Sequence, residues 1–145
     1  MTLEDPVAND KYDNLNTLMT SGWFDWASDQ IQAALLTGAT FNKADVYLED
    51  LVASNLGLAP VQGRLVAADH SLLGLPVSFT SVDADIELQV VLVRAEDSLH
   101  NTLLAWYDVD DQDNPMVLAN HGTFILRPPV YDVQGETALG IWVQF

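Results

Sequence analysis

The chain has 145 residues, with five Lys or Arg against 21 Asp or Glu, for a formal net charge of −16. That length suits one domain able to bury roughly 68–70% of its unfolded surface, and that charge repels phosphate and anionic lipid, which argues against nucleic-acid and membrane partners. There are no cysteines, so disulfides, thiolate zinc sites and cysteine nucleophiles are excluded.

Acidity of this degree often accompanies disorder, but here hydrophobic residues make up 49% and charged residues only 18%. The chain therefore has enough apolar material to fold. A mean hydropathy of +0.12 and four tryptophans are more than a small soluble monomer needs. Part of this material is expected to cover a subunit or partner interface. Apolar stretches are broken by Asp, Asn or Gly well short of the about 18–20 residues of a membrane helix. Glu4, Asp5 and Asp10 occupy the start of the chain, with no basic or apolar segment of the kind a signal peptide carries.

Residues 1–9 read as an acidic N-terminal arm containing Pro6, and residues 10–145 as a single β-rich domain. Asn9 or Asp10 is a candidate cap for a short helix to about Thr20. Tyr12, Leu15, Leu18 and Met19 share one of its faces, and Gly22 stops it. An aromatic cluster from Trp23 to Trp26 follows. From Ser28 the period changes: Ile31, Ala33 and Leu35 alternate with Gln30, Gln32 and Ala34, which predicts a strand. Residues 42–53 read as a second helix, with Asn42 as its cap and Tyr47, Leu48, Leu51 and Val52 at helical spacing. Gly57 and Pro60 end it.

Beyond Pro60 the pattern is one of short strands: 62–67, 76–81, 85–94, 102–108, 121–127 and 137–145. Val77 and Phe79 face one way in the second of these. In the third, Ile86, Leu88, Val90 and Leu92 line one face. The other face runs from Glu87 and Gln89 to Val91 and Val93, starting wet and ending dry, as if something covered one end. The predicted fold is mainly β: an antiparallel β-sandwich or small barrel of about seven strands with one or two short N-terminal helices.

Candidate chemistry is sparse. Asp108, Asp110, Asp111, Asp113 and Asn114 form an oxygen-rich run of the kind a hard cation favours. The EF-hand template fails, because Asp113 stands where Gly is required and Ala119 where Glu is required. The run reads as an exposed acidic loop. Asp83, Asp85 and Glu87 alternate onto one strand face and read as solvated rather than as a catalytic pair. His70, His100 and His121 are far apart, and no serine-elbow, phosphate-loop or dinucleotide motif occurs. No catalytic, cofactor-binding or metal-binding residue is assigned, and the chain is read as a protein that binds other proteins without catalysis. The interface candidates are Trp23 and Trp26 of the aromatic cluster, with Trp142, Val143 and Phe145 of the apolar C-terminal strand.

Several segments carry a resemblance. Tyr12-Asp13-Asn14-Leu15 comes first. Gly22, Asp25, Trp26, Asp29, Ile31, Ala34 and Leu35 then fit a G-x-x-D-W-x-x-D-x-I-x-x-A-L pattern. Tyr47-Leu48-Glu49-Asp50-Leu51, Gly63-Arg64, Val77-Ser78-Phe79, Val91-Leu92-Val93-Arg94, Leu103 to Asp108 and Phe124-Ile125-Leu126 follow. In this layout the chain resembles small structural proteins of tailed-phage virions from about residue 12 onward. It departs at residues 58–62, where that family tends to have Gly-Tyr. The resemblance implies a β-sandwich-like virion component with no catalytic residues. Repulsion from packaged DNA favours the outer face of the head. The expected role is a capsid decoration or cement protein that binds the major capsid protein in the virion. A homotrimer would match local threefold sites; a neck, tail or fibre component is the first alternative, and an acidic-site hydrolase the second.

Overall fold

Alternating and continuous apolar runs become ten strands and one helix among the described residues of the computed structural model. The structure describes residues 10–22, 24–51, 54–68, 71–82, 87–95, 100–109, 116, 122–129 and 139–143. In chain order the elements are β1 (Asp10–Lys11), α1 (Asp13–Ser21), β2 (Ile31–Thr37), β3 (Ser54–Pro60), β4 (Leu65–Val66), β5 (Leu72–Gly74), β6 (Val77–Val82), β7 (Gln89–Ala95), β8 (Asn101–Tyr107), β9 (Gly122–Leu126) and β10 (Gly140–Val143). They form three antiparallel sheets, ordered β1-β8-β7-β2-β3, β10-β5-β4 and β6-β9. The fold is mainly β, in the manner of a small sandwich, as the periodicity predicts.

The five-stranded sheet is apolar on both faces because both are covered. Ile31, Ala33 and Leu35 of β2, Val90 and Leu92 of β7, and Leu104 and Tyr107 of β8 face the main core. There they meet Trp26, Leu72, Val77, Phe79, Leu126 and Trp142 from the other two sheets and the loop after α1. The second face carries Ala34, Leu36, Val91, Val93, Leu103 and Trp106, beneath Tyr12, Phe41, Leu48 and Leu51. Each such aliphatic side chain contributes about 1.5–3 kcal/mol on burial. A register shift in the β7–β8 ladder between Leu92 and Val93 lets Leu104 and Ala105 both reach the main core.

The cover over the second face is residues 38–51, and here the structure corrects the expected helix over 42–53. Among the described residues of that stretch, only one turn of 3-10 helix forms, at Leu48–Asp50. The Asn42 Oδ1 accepts from the Ala44 N–H at 3.1 Å and so closes a local turn instead of capping a helix. The backbone is drawn out as a strap: Leu103 N–H donates to Val46 O at 2.8 Å, Asp13 N–H to Lys43 O at 2.8 Å, and Tyr47 bridges Thr102. The Ala39 N–H donates to Gln89 Oε1 at 3.0 Å. The apolar spacing that suggested a helix serves a surface of the sheet instead. Val52 lies outside the described residues.

Other boundaries also move. Asp10 and Lys11 pair with β8 as a strand, so α1 starts later than a cap at Asn9 or Asp10 would place it, with Tyr12 at its N-cap. Gly22 ends α1 with φ 77°, the left-handed conformation that glycine adopts at no steric cost. Gly57 and Pro60 do not end a helix but lie in β3, an edge strand, where a missing N–H is tolerated. The Ile31–Thr37, Val77–Val82, Asn101–Tyr107 and Gly122–Leu126 strands match the sequence reading closely.

Candidate protein-binding face

The three-stranded sheet turns one face to the core and the other outward. Pairing sets Leu65 of β4 opposite Leu73 of β5, and Leu73 opposite Ile141 of β10. Residues opposite one another share a face, so these three side chains form a row across the sheet. Leu72, Gly74, Trp142 and Val143 are buried toward the core, and none of Leu65, Leu73 or Ile141 belongs to a core cluster. Leu75 and Leu139 extend the row, meeting at the Gly63 turn, where φ is 65°. Leu65 and Leu139 at the ends of the row are 54% and 37% exposed. Leu73, Leu75 and Ile141 between them are half-buried, and Val66, opposite Leu72, lies on the other side of the sheet. The result is an aliphatic surface on a strongly acidic chain.

The side chains behind this face hold it in place. The Trp26 indole Nε1–H donates to Leu73 O at 2.8 Å, and the Trp142 Nε1–H to Leu75 O at 3.2 Å. Leu75 N–H donates to Gln62 O at 2.9 Å, closing the loop around Gly63. The Arg64 guanidinium reaches Ile31 O at 3.4 Å and Ala27 O at 3.5 Å. Burial draws its pKa below the usual arginine range, against the opposing pull of Asp29 and Asp25.

Three of the expected interface residues pack inside the chain itself. Trp26, Trp142 and Val143 are 2%, 2% and 4% exposed, inside the chain's own core. Large aromatic side chains fill a core and an interface by the same burial, and composition does not separate the two. Trp23 and Phe145 lie outside the described residues, as does the arm at 1–9. What the sequence reading missed is the pattern on either side of the tryptophans' targets. Leu73-Gly74-Leu75 and Leu139-Gly140-Ile141 each place a glycine toward the core and two aliphatic residues outward. A Cβ on Gly74 would sit 3.0 Å from Trp142 Cδ1, which is why the inward position is bare.

Few of the polar candidates lie within the described residues. Asp108, just after β8, is half-buried, while Asp110, Asp111, Asp113 and Asn114 lie outside the described residues, as do Asp83, Asp85, His70 and His121. Glu87 is exposed. The His100 ring sits 4.8 Å from that of Tyr47, beside a shallow cleft of about 380 Å³ that Arg94 also lines. The Arg94 Nη1 lies 3.2 Å from Asp29 Oδ2, and its guanidinium is 5.7 Å from the Phe24 ring, so it braces the loop before β2. Among the described residues, no group of three or more His, Asp or Glu side chains is arranged to hold a metal ion.

Comparison of the chain with protein-family models, with curated proteins and with solved structures returns no match.

Proposed function

We propose that this chain is a structural subunit of a tailed-phage particle, bound to the outside of the head as a decoration or cement protein. The aliphatic face of the β4-β5-β10 sheet carries this reading. A surface of adjoining Leu and Ile side chains, held rigid by two indole hydrogen bonds, suits a protein partner. The partner proposed is the major capsid protein. The net charge of −16 supports a station away from packaged DNA. The segments resembling small virion proteins support the same class. A subunit that binds only the assembled shell stabilises it by mass action.

The test is addition of the purified chain to tailed-phage heads that lack their decoration protein, followed by co-sedimentation and thermal disruption of the shells. The expected result is saturable binding at many copies per head and a higher disruption temperature, both lost in Ile141→Glu. Heads that neither bind the chain nor gain stability would overturn the proposal. Binding of a few copies at one vertex would move it to the neck.

A further inference from the structure

β4 forms one edge of its sheet, and no described strand lies beyond it. Ala67 N–H donates to Ser71 O at 2.9 Å, and Val66 stands opposite Leu72. The alternation of an antiparallel ladder therefore turns the Val66 N–H and C=O away from β5, toward the open side. Natural sheets blunt such edges with charges, prolines or covering segments. β1, an edge of the five-stranded sheet, carries Asp10 and Lys11. Residues 61–67 instead hold one cation, Arg64, and no acid. Arg64 lies near Asp25 and Asp29, and Asp29 also pairs with Arg94. The surroundings of this edge are therefore close to neutral on a chain of net charge −16, and salt screens the remaining repulsion between two copies beyond about 8 Å.

From the open edge, its apolar side chains and its local charge, we infer that β4 pairs antiparallel with β4 of a second copy about a two-fold axis. A strand that pairs with its own copy needs no second matching edge, and two-fold dimers are the commonest closed assemblies. The pairing joins two sheets into one and carries the row Leu65, Leu73 and Ile141 across the axis. A doubled aliphatic face then meets the partner, so this inference deepens the protein-binding reading of that face and rests on it. The unit is a dimer, in place of the trimer that threefold sites on a shell suggest.

An antiparallel strand paired with its own copy sets one residue opposite itself. Since the chain has no cysteine, the single variants Arg64→Cys, Leu65→Cys and Val66→Cys locate that residue by mild oxidation. One of them is expected to give a covalent dimer at micromolar concentration. Leu58→Cys and Ile125→Cys, at sites 48% and 42% exposed on other strands, are expected to give none. Sedimentation equilibrium is expected to return twice the chain mass for the unmodified protein and the chain mass for Val66→Glu, with an unchanged circular dichroism spectrum. A monomeric or trimeric unmodified chain overturns the pairing, as does cross-linking that is equal at Leu58 and at β4. If Val66→Glu unfolds, the cysteine series decides alone. A dimer that ignores phage heads overturns the virion reading but leaves the pairing standing, and a monomer that binds heads does the reverse.

Discussion

The Tyr107 hydroxyl donates a 2.6 Å hydrogen bond to the backbone oxygen of Trp142, and the two rings meet edge to face with centroids 5.4 Å apart. β8 and β10 belong to different sheets, so this contact ties the five-stranded sheet to the back of the aliphatic face. Tyr107→Phe keeps the ring and removes the donor, leaving a buried carbonyl without it. The expected loss is about 1–3 kcal/mol, read as a lower midpoint in urea with an unchanged m-value. An unchanged midpoint would mean that the bond contributes nothing net.

The same substitution has the opposite expected sign at Tyr12. Its hydroxyl is buried in the second cluster with no hydrogen-bond partner among the described residues, and its ring packs on Phe41 at 5.0 Å. Tyr12→Phe removes an unsatisfied polar atom and keeps the ring contact. Stability is expected to stay level or rise by up to about 1 kcal/mol. A clear loss in thermal or urea unfolding would show that the hydroxyl has a partner in solution.

Burial pushes the Tyr107 phenol well above the ordinary tyrosine value of about 10. Burial, and then the nearby Asp45 charge, does the same for Tyr12. The folded state thus holds both protons more tightly than the unfolded state. Their contribution is complete below about pH 10 and is lost as pH rises beyond it, because the unfolded chain gives up these protons first. Alkaline titration is expected to show the phenolate absorbance of these two residues only together with the loss of β-sheet circular dichroism. Ionisation that precedes unfolding would contradict their burial.

Gly74 offers a packing test of the same region. A Cβ there meets Trp142 Cδ1, Trp142 Nε1 and Val61 Cγ1, each at 3.0 Å. Gly74→Ala is expected to cost about 1–3 kcal/mol by overpacking and to weaken the Trp142 bond to Leu75 O. Trp142 fluorescence and the urea midpoint check it. If both are unchanged, β5 gives way without cost.

Much of the β architecture was legible because strand period and turn residues are local. Ile31 to Thr37 and the valines of 90–93 declare themselves without reference to the rest of the chain, as does the glycine that ends α1. The wet-to-dry change along 87–93 also had a physical meaning: Val91 and Val93 lie under the strap, Gln89 at its border. The strap itself was illegible as such. Its apolar residues fit a helix, and what keeps them extended is hydrogen bonding to Leu103 and Asp13, distant in sequence. β5 is too short to announce itself before Pro76. The candidate face is built from rows across strands that only pairing creates, while Trp26 and Trp142 drew attention to positions that the core had already taken.

The double covering of the five-stranded sheet divides the chain by its tolerance of substitution. β2 and β7 are enclosed on both sides, so a polar replacement on either face strands a group without water. The outward row on β4, β5 and β10 answers to no such demand, since its side chains leave the core on the far side of the backbone. Polar replacements at Leu65, Leu73 or Ile141 are therefore expected to leave the fold standing where the same replacements in β2 or β7 would not.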